Sequence, residues 1–172
     1  MDFLTLAKER YSCRSLTDQP VSQEAVAAII QAALLAPTAC NYQPFKIWAI
    51  RSEEGLAKVK GVCKQAFIKP APVIFVIGAD RKKAWVRDYD GMNFADVDAA
   101  IAASHMMLEI QSLGLGTTWI GHFDPEKLKQ EFPDMKEYSL IALFAVGYPA
   151  EDAGKSPMHD ACRPESELVQ DC

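Results

Sequence analysis

Pro70-Ala71-Pro72-Val73-Ile74-Phe75-Val76-Ile77-Gly78 is the stretch on which the fold turns. From Val73 to Gly78 the run is apolar and β-branched with no polar phase. A strand of that composition is covered on both faces, as at the centre of a sheet. Pro70 and Pro72 make its entry sharp. A second run of the same kind, Ser139-Leu140-Ile141-Ala142-Leu143-Phe144-Ala145-Val146-Gly147, reads as a partner strand. Lys46 to Arg51 and Thr117 to Ile120 read as two more.

Helical spacing fills the intervals. A short amphipathic helix fits Asp2 to Glu9. Ser22 is a good N-cap, followed by Glu24 in the first turn and by Val26, Ile29, Ile30, Ala33 and Leu34 at helical positions. Pro37 stops that helix, because the residue before a proline is pushed out of the α region. Glu53 to about Ala66 is helical again. Asp80 to Asn93 is a charged loop or short helix, and Phe94 to Leu113 is a long helix apolar nearly all round, hence buried in a core or an interface. Gly114-Leu115-Gly116 ends it. Pro125 to Glu131 is a short helix with proline at its start. The interleaving is irregular, so the fold class is α+β: one domain over 1–172, with a central, mostly antiparallel sheet flanked by helices. Residues 150–172 are polar, contain Pro157 and Pro164, and read as an extended C-terminal arm needing a partner chain.

The bulk composition narrows the function. With 172 residues, 49% hydrophobic and 24% charged, the chain is an ordinary globular domain with room for a sizeable core. A net charge of -5 argues against general nucleic-acid binding. No uncharged stretch nears the roughly 18 residues of a membrane span. An acid at Asp2 and charges at Glu9 and Arg10 leave no export signal, which predicts a cytoplasmic protein. Cys13, Cys40, Cys63, Cys162 and Cys172 match neither a disulfide framework nor a zinc site. With His105, His122 and His159 scattered, no metal site is expected.

Chemistry concentrates in two segments. In Arg10-Tyr11-Ser12-Cys13-Arg14 the arginines and the serine alternate, so extended backbone puts all three side chains on one side and Cys13 on the other. Two guanidinium groups and a hydroxyl suit a phosphate or another delocalised anion. The plainer alternative is a solvated helix end with incidental salt bridges. In Ala36-Pro37-Thr38-Ala39-Cys40-Asn41-Tyr42-Gln43-Pro44-Phe45, two prolines stiffen a loop, with Pro44 holding Gln43 extended. Thr38, Asn41 and Gln43 then offer donors and acceptors to a heteroaromatic ring or a polyol chain. The alternative is a turn in which Thr38 and Asn41 satisfy their own backbone. Cys40 reads as a small packing residue. Trp85 and Tyr89 stack on an aromatic substrate or shield core, with nothing to choose between them. Asp88-Tyr89-Asp90-Gly91 reads as a solvated turn.

Taken in order, these segments resemble the nitroreductase family. The pair R-x-S-x-R and A-P-S/T-x-x-N-x-Q-P-W/F is matched by Arg10 to Arg14 and Ala36 to Phe45. Asp96 to Leu113 resembles the family's long dimer helix, Gly114 to Gly121 its G-L-G-T-x-W-I-G strand, Val146-Gly147-Tyr148-Pro149 its G-Y-P strand end, and Arg163 to Val169 its basic terminal motif. The resemblance implies a homodimer with two FMN sites at the subunit interface and the C-terminal arm laid on the partner. It implies that Arg10 and Ser12 hold the FMN phosphate and that Arg14 sits nearer the ring. Pro37, Thr38, Asn41 and Gln43 would come from the partner subunit. The backbone at Ile120 and Gly121 would approach flavin N5, and Arg163 would be a further phosphate cation. The implied activity is ping-pong hydride transfer from NADH or NADPH through flavin N5 to nitroaromatics or quinones, with no side chain needed as an acid or base. Reductive dehalogenation, flavin cleavage and a flavin-binding sensor without turnover are the alternatives. Two departures stand out. Arg163 is followed by Pro164 and Glu165 where relatives carry a second cation. The segment from Asp80 to Asn93 is short where relatives roof the substrate pocket.

Overall fold

A computed structural model describes residues 2–172 of the chain. Its first two helices begin at side-chain caps. In α1 (Phe3–Glu9) the Asp2 carboxylate accepts from the Thr5 backbone N–H. In α2 (Gln23–Leu34) Ser22 does the same for Ala25. Such caps each stabilise a helix by about 1 kcal/mol. The chain continues through β1 (Phe45–Ile50), α3 (Glu53–Gly61), β2 (Val73–Ala79), α4 (Ala95–Ser112), β3 (Trp119–Ile120), α5 (Pro125–Glu131), β4 (Ser139–Val146) and α6 (Glu165–Leu168). The four strands form one sheet in the order β1-β2-β4-β3, every pairing antiparallel.

β2 is buried at every position, as its composition requires. Its alternation builds two cores. Val73, Phe75, Ile77 and Ala79 pack with α2 and α4, joined by Met106 and Ile110. Ile74 and Val76 belong to the opposite core, with Val59 of α3, Leu128 of α5 and Cys13. The apolar α4 covers the first face with its alanines, Ala95, Ala99, Ala102 and Ala103, all fully buried. Gly114, at φ +71, ends it: the Leu115 N–H turns back to the Ile110 carbonyl, a closure that favours glycine at the left-handed position.

Two boundaries differ from expectation. The helix beginning at Glu53 stops at Gly61 rather than near Ala66. Val62 gives its carbonyl to the backbone N–H of Asp124, and Cys63 turns into the core, so tertiary bonds take what another helical turn would have used. The strand expected over Thr117 to Ile120 keeps only Trp119 and Ile120. Thr117 is buried and spends its hydroxyl on the Ala145 carbonyl at 2.8 Å. Asp80 to Asn93 is a loop, closed by a bridge between Val86 and Asn93 and by Arg87 pairing with Asp90, so Asp88 to Gly91 is the solvated turn expected. Beyond Pro149 the arm is mostly exposed and carries only the one-turn α6. Among the described residues no helix is long and apolar enough to cross a membrane, and no group of His, Cys, Asp or Glu could hold a metal.

Candidate functional site

Arg10 caps the C-terminus of α1, and the chain then runs extended across one end of the sheet. The Cys13 N–H donates to the Thr117 carbonyl, Thr17 N–H to Tyr148, and Leu16 bridges Pro149. Gly116 makes this approach possible: a Cβ there would lie 2.7 Å from Cys13 Sγ and 3.0 Å from Leu16. Cys13 is buried beneath the segment, while Arg10, Ser12 and Arg14 line a cavity of about 280 Å³ on the other side. Tyr11 joins the lining, so the alternation is not strict. Its phenol, partly buried and beside Cys13, is pushed up to about 12 and keeps its proton.

The cations of this cavity are uncommitted. Arg10 has no side-chain partner among the described residues, and Arg14 reaches only the Ser12 carbonyl, at 3.4 Å. The reading in which these arginines pair with acids therefore fails for the chain as it stands. Sequence reasoning missed three lining residues, Ser156, Met158 and His159, which the arm brings back over α1. His159 Nε2 lies 3.2 Å and Lys155 Nζ 3.3 Å from the Lys8 carbonyl, near the end of α1 where helix carbonyls lack partners. No local pattern could have found them, because the partners are separated by about 150 positions.

Arg14 also lines a second cavity, of about 170 Å³, with Gln65, Phe67, Thr118, Trp119, Ile120, Gly121 and His122. Arg14 is thus common to the lining of both cavities. Trp119 stacks edge-on against Phe144, fixing β3 at the cavity wall.

The loop from Pro37 to Gln43 lines neither cavity of this chain. It is strained: Cys40, Asn41 and Gln43 have φ of +50, +55 and +49, rare for residues other than glycine. Gln43 is therefore not held extended; its carbonyl accepts from the Phe45 N–H in a tight turn around Pro44. Cys40 is exposed in this chain, not packed. Thr38 is partly spent, its Oγ1 accepting from the Gln43 N–H at 3.0 Å, whereas Asn41 and Gln43 are exposed. What holds the loop is a residue the sequence reading passed over. Asp98, fully buried on α4, accepts the Ala39 N–H at 3.0 Å, and its second oxygen has no partner among the described residues. A carboxylate on the alanine-lined face of this largely apolar helix was the available signal.

Arg163 sits on the arm, paired with Glu167 at 2.9 Å, outside the lining of the cavity that holds Arg10. Trp85 packs edge-on against Phe94 and Tyr89 is almost wholly exposed; neither lines either cavity.

Comparison with known proteins agrees with this architecture. The family model described as the nitroreductase family matches residues 7–70 and 59–148. A nitroreductase family protein from Clostridium difficile 630 superposes with a TM-score of 0.89, at 33% identity, over 99% of this chain and 98% of that one. A nitroreductase-type chain in complex with FMN, from Desulfovibrio desulfuricans, gives 0.81 at 27% identity over 98% and 95%. The FMN reductase [NAD(P)H] of Bacillus subtilis is 30% identical over 85% of this chain and 65% of its own length.

Proposed function

Because this chain belongs to the nitroreductase family, we propose that it is a flavin oxidoreductase that binds FMN and accepts electrons from NADH or NADPH. Nitroaromatics and quinones are the acceptors that fit this reading. FMN, when bound, carries the hydride equivalent between donor and acceptor, which take turns in one cleft in ping-pong order.

The observation that carries the reading is the pair of uncommitted guanidinium groups lining one cavity together with Ser12 and His159. A dianionic phosphate monoester matches that donor set, because charge-assisted bonds from planar guanidinium groups are the strong ones. Arg14 then stands between anion and ring, where a positive charge favours a reduced, anionic flavin. His159 lines the cavity where the terminal motif lacks its second cation, and Arg163 would have to exchange Glu167 for the phosphate to join it. Ile120 and Gly121 offer backbone groups at the second cavity. Pro37, Thr38, Asn41 and Gln43 reach an FMN only from the other subunit of a homodimer, a geometry that fits their absence from the cavities of their own chain.

Titration of FMN against the protein, followed by quenching of flavin fluorescence, tests the phosphate assignment. Arg10→Ala is expected to weaken FMN by about tenfold to a hundredfold, the loss of one charge-assisted bond. Its melting temperature without FMN should stay that of the native chain, since the Arg10 side chain has no partner among the described residues. Unchanged FMN affinity in the variant would remove Arg10 from the site.

A further inference from the structure

His122 follows β3 and lines the second cavity beside Arg14 and Trp119. The residue is exposed, yet its ring is not free to choose a tautomer. Its Nδ1 lies 3.1 Å from the side-chain amide nitrogen of Gln65, and the Gln65 Oε1 accepts from Cys63 Sγ at 2.7 Å. The structure sets the amide with its oxygen towards the thiol and its nitrogen towards the ring. Cys63 is buried, and burial pushes its thiol up, so at neutral pH it is protonated and offers an S–H. That S–H takes the amide oxygen and leaves the NH2 facing His122. An NH2 only donates, so Nδ1 must accept, and the proton of the neutral ring resides on Nε2. Nε2 has no protein partner among the described residues.

We propose that His122 Nε2–H is the ligand-selecting hydrogen-bond donor of this cavity, set in place and in tautomer by the Cys63–Gln65 relay. The ligands it selects are electron acceptors that present an oxygen lone pair, quinone carbonyls and nitro groups. This rests on the flavin reading above. Gln65 and Cys63 are positioning residues, and neither needs to touch the acceptor.

The test uses FMN-loaded protein reduced with one equivalent of dithionite, then mixed anaerobically with 1,4-benzoquinone or with ferricenium, which offers no oxygen. His122→Phe should slow reoxidation by the quinone about tenfold, the worth of one hydrogen bond, and leave the ferricenium rate within about twofold. His122→Gln, which returns an N–H near the position of Nε2, should recover most of the quinone rate. Nitrogen-15 NMR of the holoprotein should find His122 bare at Nδ1 and protonated at Nε2. Gln65→Leu should mix the tautomers and give a quinone rate between native and His122→Phe. A quinone rate in His122→Phe within about twofold of native, or a native ring protonated at Nδ1, overturns the proposal. If native protein takes up FMN and bleaches with NADH while His122→Phe reacts as native does, only the role of His122 falls. A native protein that takes up no FMN overturns both readings together.

Discussion

Asp98 is a carboxylate placed where a helix otherwise presents alanines, and the loop it holds explains it. Replacing it with alanine strands the Ala39 N–H, and an unpartnered buried amide costs about 1–3 kcal/mol. Asp98→Ala should therefore lower the midpoint of urea unfolding, whereas Asp98→Asn, which keeps a carbonyl acceptor for Ala39, should stay close to native. Tyr11 makes a prediction at alkaline pH. Its folded phenol titrates near 12, raised by burial, against about 10 when unfolded. Between those values the folded chain holds a proton that the unfolded chain has lost. The stability that Tyr11 contributes is thus complete below about pH 10 and lost as pH rises towards 12. Urea midpoints at pH 9 and pH 11 should fall further in the native chain than in Tyr11→Phe.

Among the elements, the approach of Arg10–Leu16 to Gly116 is the contact that shapes the cavity lined by Arg10 and Arg14. Gly116→Ala forces Cys13 and Leu16 apart from β3's lead-in, and it should both lower the melting temperature and weaken FMN binding, read by scanning fluorimetry with and without FMN. That Arg10, Ser12 and Arg14 share a side was legible because extended backbone has a period of two, and β2 was legible because burial on both faces leaves a uniform apolar run. The end of α3 was not, because a hydrogen bond from Asp124, far along the chain, decides it. Nor was β3's brevity, set by Thr117 bonding Ala145 through its side chain. His159 and the Gln65–His122 contact were illegible for the same reason: each joins segments that only the folded chain brings together. Gln43 misled, since the proline after it signals extended backbone and a turn around that proline overrode the signal.

For the whole molecule, the Pro37–Gln43 loop stays outside the lining of the cavity that holds Arg10 in its own chain, and large apolar side chains stay exposed on α1 (Phe3, Leu4), at the end of α2 (Leu34, Leu35) and at Tyr42. On the proposed reading, a second copy of the chain would cover such surfaces and bring loop to cavity. Light scattering after size exclusion should give twice the chain's 19.0 kDa. A monomeric mass together with tight FMN binding would contradict the shared site. The claim on which the rest depends is that this fold carries a flavin reducible by nicotinamide. The absorbance spectrum of the purified, FMN-supplemented protein, taken anaerobically before and after NADH or NADPH, tests it directly. The account predicts a yellow protein whose flavin bands bleach with at least one of the two donors; a protein that stays colourless and retains no FMN would contradict it.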